Sequence, residues 1–88
     1  MTKLEDLCMT IENKMLGLGL KFYGRTRSLI TDKYNMRFGP VEKSETYEVF
    51  GDVKLELEQF PNVIVYIDGE NYINAMFDDP DAKIKEGL

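Results

Sequence analysis

Histidine is absent from these 88 residues, and cysteine occurs once. Lacking histidine, the chain has no side chain that ordinarily exchanges protons near neutral pH, which argues against general acid–base catalysis. The single Cys8 cannot form an internal disulfide, and without histidine a zinc site within one chain is excluded. A lone cysteine fits a reducing compartment, and the expected location is the cytoplasm. No apolar run nears the roughly 20 residues that span a bilayer. Glu5 and Asp6 come before any apolar stretch, contrary to a signal peptide, so no membrane association is expected. Internal repeats and low-complexity segments are also missing. Gly17-Leu18-Gly19 is no phosphate loop, because it follows a helical pattern and lacks the lysine and serine that would trail it. No cofactor is therefore expected, and the chain reads as non-enzymatic.

The composition, 43% hydrophobic and 31% charged, is that of a folded globular chain and not of a disordered one. Its length allows one domain over residues 1–88, with one modest core. The net charge of −5 is unevenly spread. Residues 21–38 hold five cations against Asp32 alone, whereas residues 39–88 hold four lysines against twelve carboxylates.

Leu4, Leu7, Cys8, Ile11 and Met15 recur at helical spacing, opposite Lys3, Glu5, Asp6, Glu12, Asn13 and Lys14. Thr2 and Glu5 match a capping box and Gly17 supplies a left-handed stop, so a helix is expected over 3–16. The period then shifts to two. Strands are expected at 18–23, with a bend or bulge at Gly24, at 26–31, closed by a turn at Thr31-Asp32-Lys33, and at 33–38. Tyr47, Val49, Val53, Leu55 and Leu57 alternate with polar residues, which predicts strand over 46–58 with a bend near Gly51. Val63 to Ile67 is the longest unbroken apolar run and predicts a further strand.

Asp68-Gly69 is a preferred pair for a two-residue type I′ turn and leads into a strand over 70–77. The spacing of Tyr72, Ile73, Met76 and Phe77 also fits a short helix; the Asp-Gly turn favours the strand. Residues 78–88, opening on Asp78-Asp79-Pro80-Asp81, are expected to form a tail. Together these elements predict an α+β domain, one N-terminal amphipathic helix packed on a mainly antiparallel sheet of four to six strands. Reflection about the Asp-Gly turn sets Ile67 opposite Glu70, Val65 opposite Tyr72 and Ile64 opposite Ile73. One hairpin face then carries Ile64, Tyr66, Ile73, Ala75 and Phe77; the other carries Val63, Val65, Ile67, Tyr72 and Met76. A single helix of about four turns cannot cover both, so a bare apolar face is expected to bind a partner.

The resulting functional expectation is a small acidic interaction protein that binds and inhibits or regulates a protein partner. Tyr66 and Tyr72 are the candidate aromatic anchors, with Glu56, Glu58 and Glu70 as an acidic rim. A homodimer through the bare face is a related expectation. Small inhibitors encoded by phages and mobile elements share this size and charge. The alternative is a module for single-stranded nucleic acid, because Lys21, Tyr23, Arg25, Arg27, Lys33, Tyr34 and Arg37 interleave cations with rings. Against it, the overall negative charge repels a polyanion, and basic strands commonly pair with acidic neighbours. Glu42, Glu45, Glu48, Asp52, Glu56, Glu58, Asp68 and Glu70 suggest either an edge that mimics phosphate spacing or a solubilising surface. Asp78, Asp79 and Asp81 offer oxygen ligands but not at calcium-loop spacing, so no metal is expected. Cys8 lies on the apolar stripe of the helix, where a thiol is a small hydrophobe and not a nucleophile.

Overall fold

The computed structural model describes residues 2–81. In chain order these form α1 (Lys3–Gly17), β1 (Phe22–Arg27), β2 (Lys33–Phe38), a 3₁₀ turn (Lys43–Glu45), α2 (Thr46–Leu57), β3 (Ile64–Ile67) and β4 (Ile73–Asp78). The strands make one antiparallel sheet in the order β1-β2-β4-β3. Cys8, Ile11 and Met15 of α1 and Val53 and Leu57 of α2 share a core with Met36, Phe38, Ile73, Ala75 and Phe77. Both helices therefore cover the same face of the sheet. The α+β class, the N-terminal helix and the four-stranded antiparallel sheet match the sequence reading; the second helix was not anticipated.

The first helix begins where its cap requires. Thr2 Oγ1 accepts the Glu5 N–H at 3.1 Å, and the Asp81 carboxylate accepts the Leu4 N–H at 3.3 Å, a negative charge at the positive end of the helix dipole. Its end differs from expectation. Gly17 stays helical, and Gly19 takes the left-handed conformation at φ +85°. Leu20 N–H then donates to Met15 O and Gly19 N–H to Leu16 O, at 3.1 and 3.0 Å, a Schellman closure that carries Leu20 into the core. This closure uses residues 18–20, so the strand expected at 18–23 starts only at Phe22.

The strands expected at 18–23 and 26–31 are thus one strand, β1, with Tyr23 as the extra residue of a bulge beside Gly24. The turn comes earlier than expected: Ser28 N–H donates to Lys33 O and Asp32 N–H to Ser28 O, both at 2.9 Å. Leu29 and Ile30 consequently stand at the hairpin tip, 96% and 97% exposed, instead of inside a strand.

The largest correction lies at 46–58, where the predicted bent strand is α2. Thr46, Val49, Phe50, Val53 and Leu57 are the buried or half-buried positions of this segment, and their spacing is helical. Tyr47 and Leu55, which an alternating pattern placed inside, are exposed. Glu48, Lys54, Leu55, Glu56 and Leu57 favour a helix, and Gly51 faces open space, where it costs only about 1 kcal/mol of propensity.

The β3–β4 hairpin is real, but its turn is not the two-residue one. Asp68 N–H donates to Tyr72 O at 3.1 Å and Asn71 N–H to Asp68 O at 3.2 Å. Asn71 takes the positive φ, at +64°, that Asp68-Gly69 was expected to supply. Ile67 therefore pairs with Ile73, Val65 with Ala75, Tyr66 with Asn74 and Ile64 with Met76. Relative to the expected register β4 slips by three residues, an odd number, and an odd slip exchanges the faces of one strand. Val63, Val65, Ile67, Ile73, Ala75 and Phe77 share the helix side, while Ile64, Tyr66, Asn74 and Met76 share the other. Residues 73–78 are strand, which excludes the short helix considered for that segment. Of the expected tail, Asp78 belongs to β4 and Pro80-Asp81 make a turn; residues 82–88 lie outside the described residues. Among the described residues no helix is long and apolar enough to cross a membrane.

Candidate functional site

The face of the sheet that neither α1 nor α2 covers carries a continuous polar and aromatic network. It is built from alternate residues of the two central strands, Asn35 and Arg37 of β2 and Asn74 of β4, with Tyr66 of β3 and the 68–72 turn. Asn35 Nδ2 donates to Asn74 Oδ1 at 2.8 Å, and Asn35 Oδ1 accepts the Tyr66 hydroxyl at 2.8 Å. Asn74 Nδ2 donates to Asp68 Oδ2 and to Tyr72 O, at 3.0 and 3.2 Å. Arg37 Nε donates to the same Asp68 Oδ2 at 2.9 Å, while Asp68 Oδ1 accepts the N–H groups of Glu70 and Tyr72 at 2.9 and 3.2 Å. Asp68 thus fixes its own turn with one oxygen and the sheet face with the other. No buried side-chain polar atom among the described residues lacks a partner.

Two rings complete the cluster. The Arg37 guanidinium lies 3.8 Å from the Tyr72 ring centre and 5.2 Å from that of Tyr23, and the two rings are 4.8 Å apart. The bulge in β1 gives Tyr23 its place, since the extra residue lies next to Arg37. Electrostatics lock the arrangement. Burial opposes ionisation of Asp68, but the donors from Asn74, the Glu70 backbone, Arg37 and the Tyr72 backbone outweigh it and bring its carboxyl down to about 2. The hydrogen bond to Asp68 raises the Arg37 pKa against a smaller desolvation effect. Burial, followed by the neighbouring Tyr23, raises that of Tyr72. At neutral pH these groups keep one charge state each. They offer a fixed surface for hydrogen bonding and stacking.

The residues named from sequence divide as follows. Tyr66 and Tyr72, expected on opposite hairpin faces, stand on the same helix-free face, with Glu70 at its rim and 3.8 Å from Arg37. Glu56 and Glu58 belong to the helical layer, Glu56 facing Lys14 at 3.6 Å and Glu58 capping the end of α2. The basic-aromatic set is split between both sides of the sheet. Tyr23, Lys33 and Arg37 lie on the helix-free side, whereas the β1–β2 register puts Arg25, Arg27 and Tyr34 on the helix side. There Tyr34 stacks on Phe77 at 6.1 Å, and Arg25 and Arg27 lie over its ring. Arg27 pairs with Asp32, Lys33 with Asp78 at 3.1 Å and Arg37 with Asp68; Lys21 and Arg25 make no ion pair among the described residues. The proposed acidic edge is dispersed: Glu48, Asp52 and Glu56 lie on α2, Glu42 and Glu45 beside it, and Asp68 inside the network. The three aspartates of 78–81 serve separate ends, Asp78 on Lys33, Asp79 on the Asp81 N–H at 2.8 Å, and Asp81 on α1. Cys8 is buried in the core.

Asn35, Asn74 and Asp68 were not singled out together from sequence, and neither were Leu29 and Ile30. The aliphatic pair had a readable signal, Ser28 and Asp32 bracketing it as turn formers. The asparagines had none, because their partnership depends on strand register. No protein-family model, curated protein or solved structure matches this chain.

Proposed function

We propose that the chain is a non-catalytic protein-binding module that holds its partner on the helix-free face of the sheet and, by occupying it, inhibits or regulates that partner. The observation that carries this reading is the Tyr23–Arg37–Tyr72 cluster pinned by Asp68 beside Tyr66. Tyrosine and arginine are the residue types that dominate binding hot spots. Here they stand on paired strands, already ordered, so little side-chain freedom is left to lose on association. Ile64, 51% exposed, and half-buried Met76 extend the face with apolar area. Glu70 and Asp78 border the face opposite Arg37 and Lys33, so its rim carries charges of both signs, which tune the rate of encounter with a partner more than the affinity. The proposed location is the cytoplasm, in keeping with one unpaired, buried thiol.

Catalysis has less support, because Cys8 is shielded and Asp68 is held ionised. A nucleic-acid platform also has less, because three of its cations are paired with carboxylates and its members face both ways. The test compares proteins of the source organism retained on the immobilised chain, on Tyr66→Glu and on Tyr47→Glu, an exposed site on α2. A protein retained by the chain and by Tyr47→Glu but lost by Tyr66→Glu is the expected result. Equal retention by all three contradicts the proposal. Salt-sensitive binding of a single-stranded oligonucleotide would favour the alternative.

A further inference from the structure

The sheet has two edges, and they are protected unequally. β1 carries the Tyr23–Gly24 bulge, and Arg25 and Arg27 stand within it. Bulges and edge cations are the devices by which sheets discourage the addition of another strand. β3 has neither. Ile64, Val65, Tyr66 and Ile67 hold no charge, their register with β4 is unbroken, and among the described residues only β4 pairs with them. The inward hydrogen bond from Asp68 N–H to Tyr72 O sets the alternation. Tyr66 and Ile64 turn their backbone groups to β4, and Val65 and Ile67 turn theirs outward.

Both sides of this edge are apolar and accessible. Ile64 and Tyr66 are exposed on the helix-free side. On the other side a groove of about 360 Å³ runs between α2 and β3, lined by Leu55, Phe60, Val63 and Val65 with Lys54 and Glu58 at its border. Four residues supply few backbone hydrogen bonds, so an added strand must also fill these two sides.

We infer that β3 pairs antiparallel with β3 of a second copy, joining two sheets into one of eight strands. A two-fold axis normal to the sheet keeps each side chain on its own face only when paired residue numbers have an even sum. Centring the axis on Val65 satisfies this and sets the outward N–H and C=O of Val65 against those of its counterpart. Ile64 of each copy then meets Tyr66 of the other, two aliphatic–aromatic pairs on the helix-free side. Val65 meets Val65 on the helix side. A symmetric strand is its own complement here, which a partner with edge charges would not be. The contact shares Ile64 and Tyr66 with the face proposed above but leaves the Tyr23–Arg37–Tyr72 cluster outside it, and Val65→Pro, whose side chain lies on the helix side, separates loss of the dimer from loss of that face.

The test is sedimentation equilibrium of the purified chain over a wide concentration range, with Val65→Pro and Ile64→Lys. Proline at 65 removes an outward N–H and leaves every bond to β4 in place. Lysine at 64 restores the edge charge that β3 lacks. The expected result is a species of twice the 10.2 kDa chain mass, lost in both variants while their far-ultraviolet circular dichroism is unchanged. Should Val65→Pro fail to fold, Ile64→Lys decides alone. A chain that stays monomeric at the highest concentration overturns the inference, as does a dimer that persists in folded Ile64→Lys.

Discussion

The two faces of this one sheet are held together by different physics. The helix-covered face is apolar, and Met36, Phe38, Ile73, Ala75 and Phe77 pack against both helices with almost no exposure. Its stabilisation is non-directional and grows with buried area, at about 1.5–3 kcal/mol for each large side chain. The helix-free face is stabilised by directional bonds, Asn35 to Asn74, Asn74 to Asp68 and Arg37 to Asp68. Each such bond contributes only about 0.5–1.5 kcal/mol net, somewhat more where a charge takes part. What the polar face gives up in stability it gains in definition, since its rings and guanidinium are set in fixed positions. The difference separates the face that makes the fold from the face proposed to use it.

The contrast is sharpest for truncation on the covered side. Phe77→Ala should lower the free energy of unfolding by about 3–5 kcal/mol in urea denaturation, through lost burial and the cavity left behind. On the polar face Asp68→Asn should cost less, about 1–3 kcal/mol, because Arg37 keeps its charge and loses its carboxylate. A loss at Asp68 as large as that at Phe77 would break the comparison.

The charge of Asp68 also makes a pH prediction. Its carboxyl titrates at about 2 in the folded chain, below the ordinary 3.8, so ionisation stabilises the fold above the ordinary value. That contribution, on the order of 1–2 kcal/mol, falls away as pH drops from about 4 towards 2. The stability gap between the natural chain and Asp68→Asn should therefore narrow between pH 6 and pH 2.5. A gap independent of pH would mean that the carboxylate is not held by its donors. The smallest effect is expected for Tyr66→Phe, which loses the bond to Asn35 and should cost about 0.5–1.5 kcal/mol.

The same division explains which parts of the chain could be read from sequence. α1 was legible because Thr2, Glu5 and the Leu4–Met15 stripe are local signals, and β2 because Tyr34, Met36 and Phe38 alternate cleanly. α2 was misread because Val49, Val53 and Leu57 satisfy a period of two and also helical spacing, and Gly51 in their midst suggested a bend. In the hairpin, two turn signals competed. Asp68-Gly69 was the more familiar pair, but Asn71 supplied the positive φ while the Asp68 carboxylate took up the N–H groups of Glu70 and Tyr72. That odd slip hid the site. Tyr66, Tyr72 and Glu70 were recognisable as candidates, yet their assembly with Asn35, Asn74 and Arg37 follows from register, which no local pattern specified.

The central claim, that the helix-free face is the one that meets a partner, is tested most directly by site-specific photo-crosslinking. A photoreactive phenylalanine derivative is placed at Tyr23, at Tyr66 or at Tyr47, and each variant is irradiated in extract of the source organism. Tyr23 and Tyr66 lie on the helix-free face and Tyr47 projects from α2. The expected result is one and the same cross-linked protein from positions 23 and 66, and none from position 47. A product from position 47 alone would place the contact on the helical layer and contradict the claim.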